Sequence, residues 1–225
     1  MPNYLSIDTS AHASVALVDY TTGSVIAQKT SPKGNDQTET LASYVRDLLE
    51  ENNEQGKNLA GIFVGVGPGP FTGLRVGLVA ARTFGFVWNV PVYGVMSLHA
   101  LAERVLRSGE GSGEFVVASD ARRKELYWAR YDSEGKLLDG PHVSSATELP
   151  ALPVYGVGAG LYVEELESVG AKPWARSFDW VVDAAHLADR GMDDLLAGKD
   201  LSDTAPQYLR ESDAQVPAFM KQAKA

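Results

Sequence analysis

Two carboxylates stand at matching places in the chain. Asp8 stands near the end of the strand-like run Asn3–Thr9 (NYLSIDT), and Asp120 closes Phe115–Asp120 (FVVASD). A carboxylate at the end of a buried strand is well placed to hold Mg2+ and direct a water. The same residue type also nucleates Asx turns, and both roles stay open. Thr9 and Ser10 follow Asp8 directly, as a short phosphate loop would. The next residues, Ala11-His12-Ala13, bring neither a glycine for close backbone approach nor a lysine for phosphate charge. A second glycine-rich turn, Gly156-Val157-Gly158-Ala159-Gly160, carries Gly156 and Gly158 where a strand passes into a helix. For metal chemistry the chain offers His12, His99, His142 and His186 without ligand spacing, and no cysteine. The reading is that no catalytic residue and no metal ligand belongs to this chain.

The densest punctuation is GVGPGPFTG, Gly65–Gly73, which runs directly into an apolar segment. It fails as a phosphate cradle. A P-loop needs Lys after its last glycine, where Leu74 stands, and the dinucleotide fingerprint meets Pro70 in place of its third glycine. What remains is mechanical: Gly67, Pro68, Gly69, Pro70, Phe71 and Thr72 form a rigid launch into a helix, with Thr72 as its expected N-cap and Phe71 stapled onto Val76. Inside that helix Gly73, Gly77, Ala81 and Gly85 fall four residues apart and make a stripe without bulk. An interior helical glycine costs about 1 kcal/mol relative to alanine, so three of them imply a close approach. Two faces qualify equally: the chain's own sheet or first helix, and a partner subunit.

The elements that must position these residues fall into two similar halves. Asn3–Thr9, Ser14–Asp19 and Val25–Thr30 read as a meander of strands. Asp36, with Glu39 three residues on, opens a helix carrying Leu41, Tyr44, Val45, Leu48 and Leu49. Ala60–Val66 is a strand, the glycine stripe lies in a second helix, and Val90–Val95 is a short strand. The second half repeats the order with strands over Phe115–Asp120, Leu126–Tyr131, Leu137–Val143 and Val154–Val157. Helices follow over Ala159–Ser168 and Ala184–Leu196. We divide the chain into a first lobe of residues 1–96, a connecting helix and linker of residues 97–113, and a second lobe of residues 114–225.

Composition narrows the class. At 225 residues and 44% hydrophobic content the chain can bury a sizeable core. No apolar run approaches a membrane span, and the first residues lack the pattern of a signal peptide, so the expected place is the cytoplasm, away from membranes. A net charge of −9 argues against unaided binding along a nucleic-acid backbone.

Several ordered motifs carry a family resemblance: Asp8-Thr9-Ser10, the run Gly67–Gly77, Val92-Tyr93-Gly94-Val95-Met96-Ser97-Leu98, Asp120–Tyr127, and Pro206, Tyr208 and Arg210 near the end. Together they resemble the TsaB (YeaZ-like) family, the non-catalytic branch of the bacterial tRNA threonylcarbamoyladenosine machinery. The chain departs from the family pattern at Pro70, commonly Ser, and at Asp36, where a His is usual. The resemblance implies an α/β, actin-like ATPase (ASKHA) fold of two ribonuclease H-like lobes, each a mixed five-stranded sheet with flanking helices. It implies a structural and activating subunit of the complex that adds threonylcarbamoyl to N6 of the adenosine 3′-adjacent to the anticodon, in tRNAs reading codons that begin with A. The partners implied are a TsaD-like catalytic paralogue in a heterodimer and a TsaE-like ATPase, with tRNA reached only through the complex. A homodimer of the isolated chain is left open. ATP, Mg2+ and the partner's metal belong to the complex, and no cofactor is expected on this chain alone. In the catalytic paralogue two histidines hold the metal; the matching places here are Ser97 and Leu101. Asp8, Thr9, Ser10, Asp120, Gly156 and Gly158 then read as remnants of a nucleotide site. The alternative is an independent actin-like enzyme, either a small-molecule kinase or a glycoprotease-like metallopeptidase.

Overall fold

A computed structural model describes residues 2–19, 21–33 and 36–210. The chain runs β1 (Asn3–Asp8), β2 (Ser14–Asp19), β3 (Val25–Thr30), α1 (Gln37–Glu51), β4 (Gly61–Gly65), α2 (Phe71–Trp88), β5 (Val92–Val95) and α3 (Leu98–Arg107). It continues with β6 (Phe115–Asp120), β7 (Leu126–Tyr131), β8 (Leu137–Ser144), β9 (Pro153–Tyr155), α4 (Val157–Leu161), α5 (Val163–Ser168), β10 (Lys172–Pro173) and α6 (Ala184–Leu196). No helix among the described residues is long and apolar enough to cross a membrane.

Two mixed five-stranded sheets result, ordered β3-β2-β1-β4-β5 and β10-β9-β6-β7-β8. In each the first three strands pair antiparallel and the last two join parallel. The second sheet repeats the first strand for strand, which sets Asp8 and Asp120 at equivalent ends. β1, β4 and β6 are buried nearly end to end, as strands covered on both faces must be.

Five layers stack in order. α1 and α2 cover the outer face of the first sheet through Leu5, Ile7, Ile62, Val64, Leu41, Leu48, Leu74 and Leu78. α3 and α6 fill the space between the sheets, where Phe63 and Val18 of one sheet share a core with Phe115, Val117 and Tyr131 of the other. α4 and α5 cover the far face of the second sheet. α6 lies against α3 and across β1, β2, β4 and β5, so the last helix among the described residues packs on the first sheet. Its Ala184 N–H donates to Ser14 Oγ at 2.9 Å, and Gly191 leaves room for the Phe63 ring.

Four local expectations are corrected. Asp36 precedes α1 but makes no side-chain cap, and its Oδ1 is buried without a hydrogen-bond partner. α2 starts two residues earlier than expected, at Phe71, with Pro70 as the flanking residue; Thr72 is already helical and caps nothing. Phe71 turns to Tyr208, 4.5 Å between ring centroids, rather than stapling Val76. The single helix expected over Ala159–Ser168 is two, broken at Tyr162, whose φ of −137° is not helical.

Candidate functional site

The strand pairing brings Asp8, Gly65, Gly67 and Ser97 together at the ends of β1, β4 and β5. Asp8 is fully buried, and its Oδ1 accepts from Ser10 N–H at 2.8 Å and Ser10 Oγ at 2.7 Å. Its Oδ2 accepts from Ser97 Oγ at 2.7 Å, and the same hydroxyl accepts from Gly67 N–H at 3.1 Å. Gly67 C=O in turn accepts from Ser97 N–H at 2.7 Å. Burial pushes the Asp8 carboxyl above its ordinary range, while the bonds from Ser97 and Ser10 pull it back. The carboxylate therefore stitches β1 to the helix-launch loop. A Cβ on Gly65 would strike Asp8 Oδ2, so glycine there makes room for the acid.

The fit to an imidazole-held metal fails on donor chemistry. Ser97 is fully buried with its hydroxyl committed to Asp8, and Leu101 is 1% exposed in the central core. The histidines have separate structural partners. His12 Nδ1 meets Ser31 C=O at 2.7 Å, His142 lies beside Asp139 and the Trp128 ring, and His186 joins Asp183 at the start of α6. His99 meets the Tyr131 hydroxyl at 3.0 Å, and burial drives its pKa down to about 3, so the imidazole is neutral.

Asp120 makes the matching turn in the second sheet. Its Oδ1 accepts from Arg122 N–H at 2.7 Å and its Oδ2 pairs with the Arg122 guanidinium at 3.1 Å. Between the two carboxylate turns lies a cleft of about 210 Å3 lined by Ser10, His12, Pro70, Asp120, Arg122 and Val157. Of the expected nucleotide-site residues, Ser10 and Asp120 reach it; Asp8, Thr9, Gly156 and Gly158 do not line it. Gly156, at φ +102°, and Gly158 instead allow α4 to sit on Ala118 of β6. The cleft supplies no lysine, and Asp120 already has Arg122, so the residues present do not fit Mg2+-nucleotide held by this chain.

The glycine stripe closes on the chain itself, which corrects its reading as a partner-facing surface. Gly73, Gly77, Ala81 and Gly85 are all buried. A Cβ on Gly73 would come within 2.7 Å of Thr9 C=O, one on Gly77 would collide with Thr9 Oγ1, and one on Gly85 would meet Val92 of β5. Thr9 Oγ1 donates to Gly73 C=O at 2.8 Å and accepts from Gly77 N–H at 3.1 Å. The hydroxyl thus bonds both the carbonyl and the N–H of one turn of α2. Thr9 belongs to the machinery that seats α2.

The opposite face of α2 is the one turned outward. Val79, Phe86 and Val87 are 63%, 88% and 67% exposed, at the i, i+7, i+8 spacing of one helix face. Sequence periodicity marked the small side of the helix and passed over this apolar side.

Residues 199–210 form a strap with no regular structure that ties the two sheets. Leu201 C=O accepts from Gly94 N–H, Thr204 takes the Arg82 guanidinium, and Gln207 N–H donates to Val66 C=O. Tyr208 OH accepts from Arg75 Nε at 3.1 Å, and Arg75 lies 3.7 Å over the Phe71 ring. Arg210 donates to Ala121 C=O at 2.8 Å and pairs with Glu125. Of the C-terminal motif, Tyr208 and Arg210, with Gln207 between them and Pro206, fasten the launch loop to the turn after β6.

Comparison with known proteins agrees with this architecture. The profile of the family described as "TsaD: tRNA N6-adenosine threonylcarbamoyltransferase" matches residues 31–177. An uncharacterised protein of Mycobacterium tuberculosis is 34% identical over 94% of this chain and 93% of its own length. The tRNA threonylcarbamoyladenosine biosynthesis protein TsaB of Escherichia coli is 33% identical over 58% of this chain; the match spans about half of that protein, 55%. Among solved structures, YeaZ from Pseudomonas aeruginosa superposes with a TM-score of 0.73 at 27% identity, covering 93% of this chain and 100% of that one.

Proposed function

This chain belongs to the TsaD family and within it is TsaB-like, and on that premise we propose that it is the non-catalytic, activating subunit of a tRNA threonylcarbamoyltransferase. Its role is in threonylcarbamoyladenosine biosynthesis, alongside a TsaD-like paralogue that transfers threonylcarbamoyl to N6 of the adenosine 3′-adjacent to the anticodon. ATP, Mg2+ and the metal of the complex are held by the partners, including a TsaE-like ATPase. The lobes at residues 1–96 and 114–225 serve in this reading as a scaffold, placed in the cytoplasm with the tRNA.

The observation that carries the proposal is the Asp8–Ser97 network. Of the two strand-end carboxylates, Asp8 is sealed from solvent and consumed by three hydroxyl and amide donors and Asp120 is paired with Arg122, while the paralogue's ligand places hold a committed serine and a core leucine. For the partner surface, the exposed apolar face of α2 suits a helix-in-groove or helix-pairing contact.

Reconstitution with the TsaD-like paralogue, a TsaE-like ATPase, threonylcarbamoyl donor and tRNA tests both parts. Omitting this chain should abolish product, while Asp8→Asn, which keeps the shape of the network, should leave the rate within a few-fold. A general acid or base would lose about a hundredfold or more on the same change. Loss on that scale, with the variant folded, would overturn the non-catalytic role. Full activity without the chain would overturn the subunit role.

A further inference from the structure

We infer that the cavity between the open edge of β5 and the strap is a binding site for a free α-amino acid, held through its own ammonium and carboxylate groups. The inference goes beyond the subunit role and does not depend on it. The cavity, of about 350 Å3, has Gly94, Met96, His99, Asp194, Asp203 and Gln207 in its walls. It shares no lining residue with the cleft between the carboxylate turns.

The backbone of β5 supplies the grip. β5 is the last strand of its sheet, and alternate residues make its ladder to β4: Ile62 N–H donates to Pro91 C=O and Val66 N–H to Val95 C=O. The N–H and C=O of Gly94 and the N–H of Met96 therefore point away from β4. Gly94 N–H is taken by Leu201 C=O of the strap at 2.8 Å. Gly94 C=O and Met96 N–H have no hydrogen-bond partner among the described residues. In a parallel ladder such an acceptor and donor, two residues apart, together hold the N–H and C=O of one residue on the next strand. A single α-amino acid carries its donor and acceptor at that same separation.

The strap turns this edge into a slot. An ordinary edge strand shows its free groups to bulk water. Here the strap is fastened on both sides of the opening, at Leu201 to Gly94 and at Gln207 N–H to Val66 C=O, each at 2.8 Å. Between those bonds Asp203, Ala205 and Pro206 wall the cavity, and Asp203 passes so close that a Cβ on Gly94 would strike its carbonyl. A peptide continuing in both directions would run into the strap at either end. A ligand one residue long fits without displacing it.

The two ends of the slot suit the two charges of the ligand. Beside Met96 N–H stands His99, whose own N–H is bonded to Met96 C=O at 2.9 Å. Its Nδ1 meets the buried Tyr131 hydroxyl at 3.0 Å, and with that hydroxyl as the donor the neutral ring keeps its proton on Nε2, a second donor for a carboxylate. At the Gly94 end the acceptors gather. Asp203 has its Oδ1 fixed by Ala205 N–H at 2.8 Å and no ion pair among the described residues, whereas Asp194 is already paired with Lys199 and Arg190. Gln207 Oε1 is buried with no hydrogen-bond partner, an acceptor that the folded chain leaves unsatisfied. An ammonium group brings the donors and the positive charge that this end lacks.

A backbone-amide NMR titration of the full chain tests the site with three probes: L-serine, which is small and carries both charges, and N-acetyl-L-serine and L-serinamide, each of which lacks one of them. L-serine should give saturable shifts at the Gly94, Met96 and His99 amides in the millimolar range, with each capped probe at least about tenfold weaker. Asp203→Asn keeps an acceptor for Ala205 N–H and removes only the charge; it should weaken L-serine about tenfold, leave N-acetyl-L-serine unchanged and melt like the parent. Gln207→Leu, which removes the unsatisfied acceptor, should weaken L-serine as well. No saturable shift, or saturable shifts that leave those three amides unmoved, overturns the site. Capped probes that bind as tightly as L-serine overturn the free amino acid as its ligand, and so does full binding by a folded Asp203→Asn.

Discussion

Gly77→Ala is the sharpest perturbation of the way α2 is seated. By helix propensity alone the change should stabilise the protein by about 1 kcal/mol. The structure reverses the sign, because the new methyl would occupy the place of Thr9 Oγ1. Overpacking costs about 1–3 kcal/mol, and displacing a buried hydroxyl from Gly73 C=O and Gly77 N–H forfeits about 1 kcal/mol more. The net is about 2 kcal/mol of destabilisation, or a fall in Tm of about 4–8 °C for a chain of this size. Thr9→Ala removes the obstacle. In the double variant, Gly77→Ala should then be neutral or stabilising, giving a coupling energy of about 2 kcal/mol in a double-mutant cycle read by thermal or denaturant unfolding. A higher Tm for Gly77→Ala alone, or additive effects of the two changes, would refute the account in which Thr9 seats α2.

Two further outcomes are expected. Val79→Glu with Phe86→Glu should leave the melting of the isolated chain within about 0.5 kcal/mol, since both side chains are exposed, while calorimetric titration against the TsaD-like paralogue shows at least about a tenfold loss of affinity; unchanged affinity removes this face of α2 from the interface. Asp189 on α6 has its carboxyl pushed up to about 6 by burial, against the pull of Arg107 and His186 and with a push from Glu103 and Asp193. A raised folded pKa means that the folded state holds the proton more tightly, so this contribution to stability is full below about pH 4 and lost as pH rises through about 6. Asp189→Asn should flatten that part of the stability profile, and a profile identical to the parent's would disprove the assignment.

Much of the architecture was legible because strand ends and turn residues are local signals. Asn3–Asp8, Ser14–Asp19 and Val25–Thr30 announce a meander by short strand-forming runs and by Thr21-Thr22-Gly23, and the repeat around Phe115–Tyr131 announces a second one. The glycine stripe was equally plain as spacing. Its direction was not, because periodicity defines a helix face and leaves open what covers it; Thr9, sixty-eight positions from Gly77, settles that only in three dimensions. Ser97 was noticed for the imidazole it lacks, whereas its hydroxyl joins Asp8 to Gly67. The left-handed run at Arg122–Lys124 carries no glycine or asparagine to betray it. Nor does the strap, whose hydrogen bonds go to distant backbone, leave any periodic trace.

The position of α6 governs the order in which the molecule can be completed. β1 leaves the ribosome long before α6, yet one face of its sheet is covered by that helix, which begins at Ala184. Until that helix is synthesised, Phe63 and Val18 lack their covering partner, and an emerging first half exposes an apolar sheet face. The sheet made first is finished last. Sequence separations of this length slow folding and lengthen the interval in which such a face is open to chaperones or to aggregation. Severing the chain before Ala184 would therefore damage its beginning more than its middle.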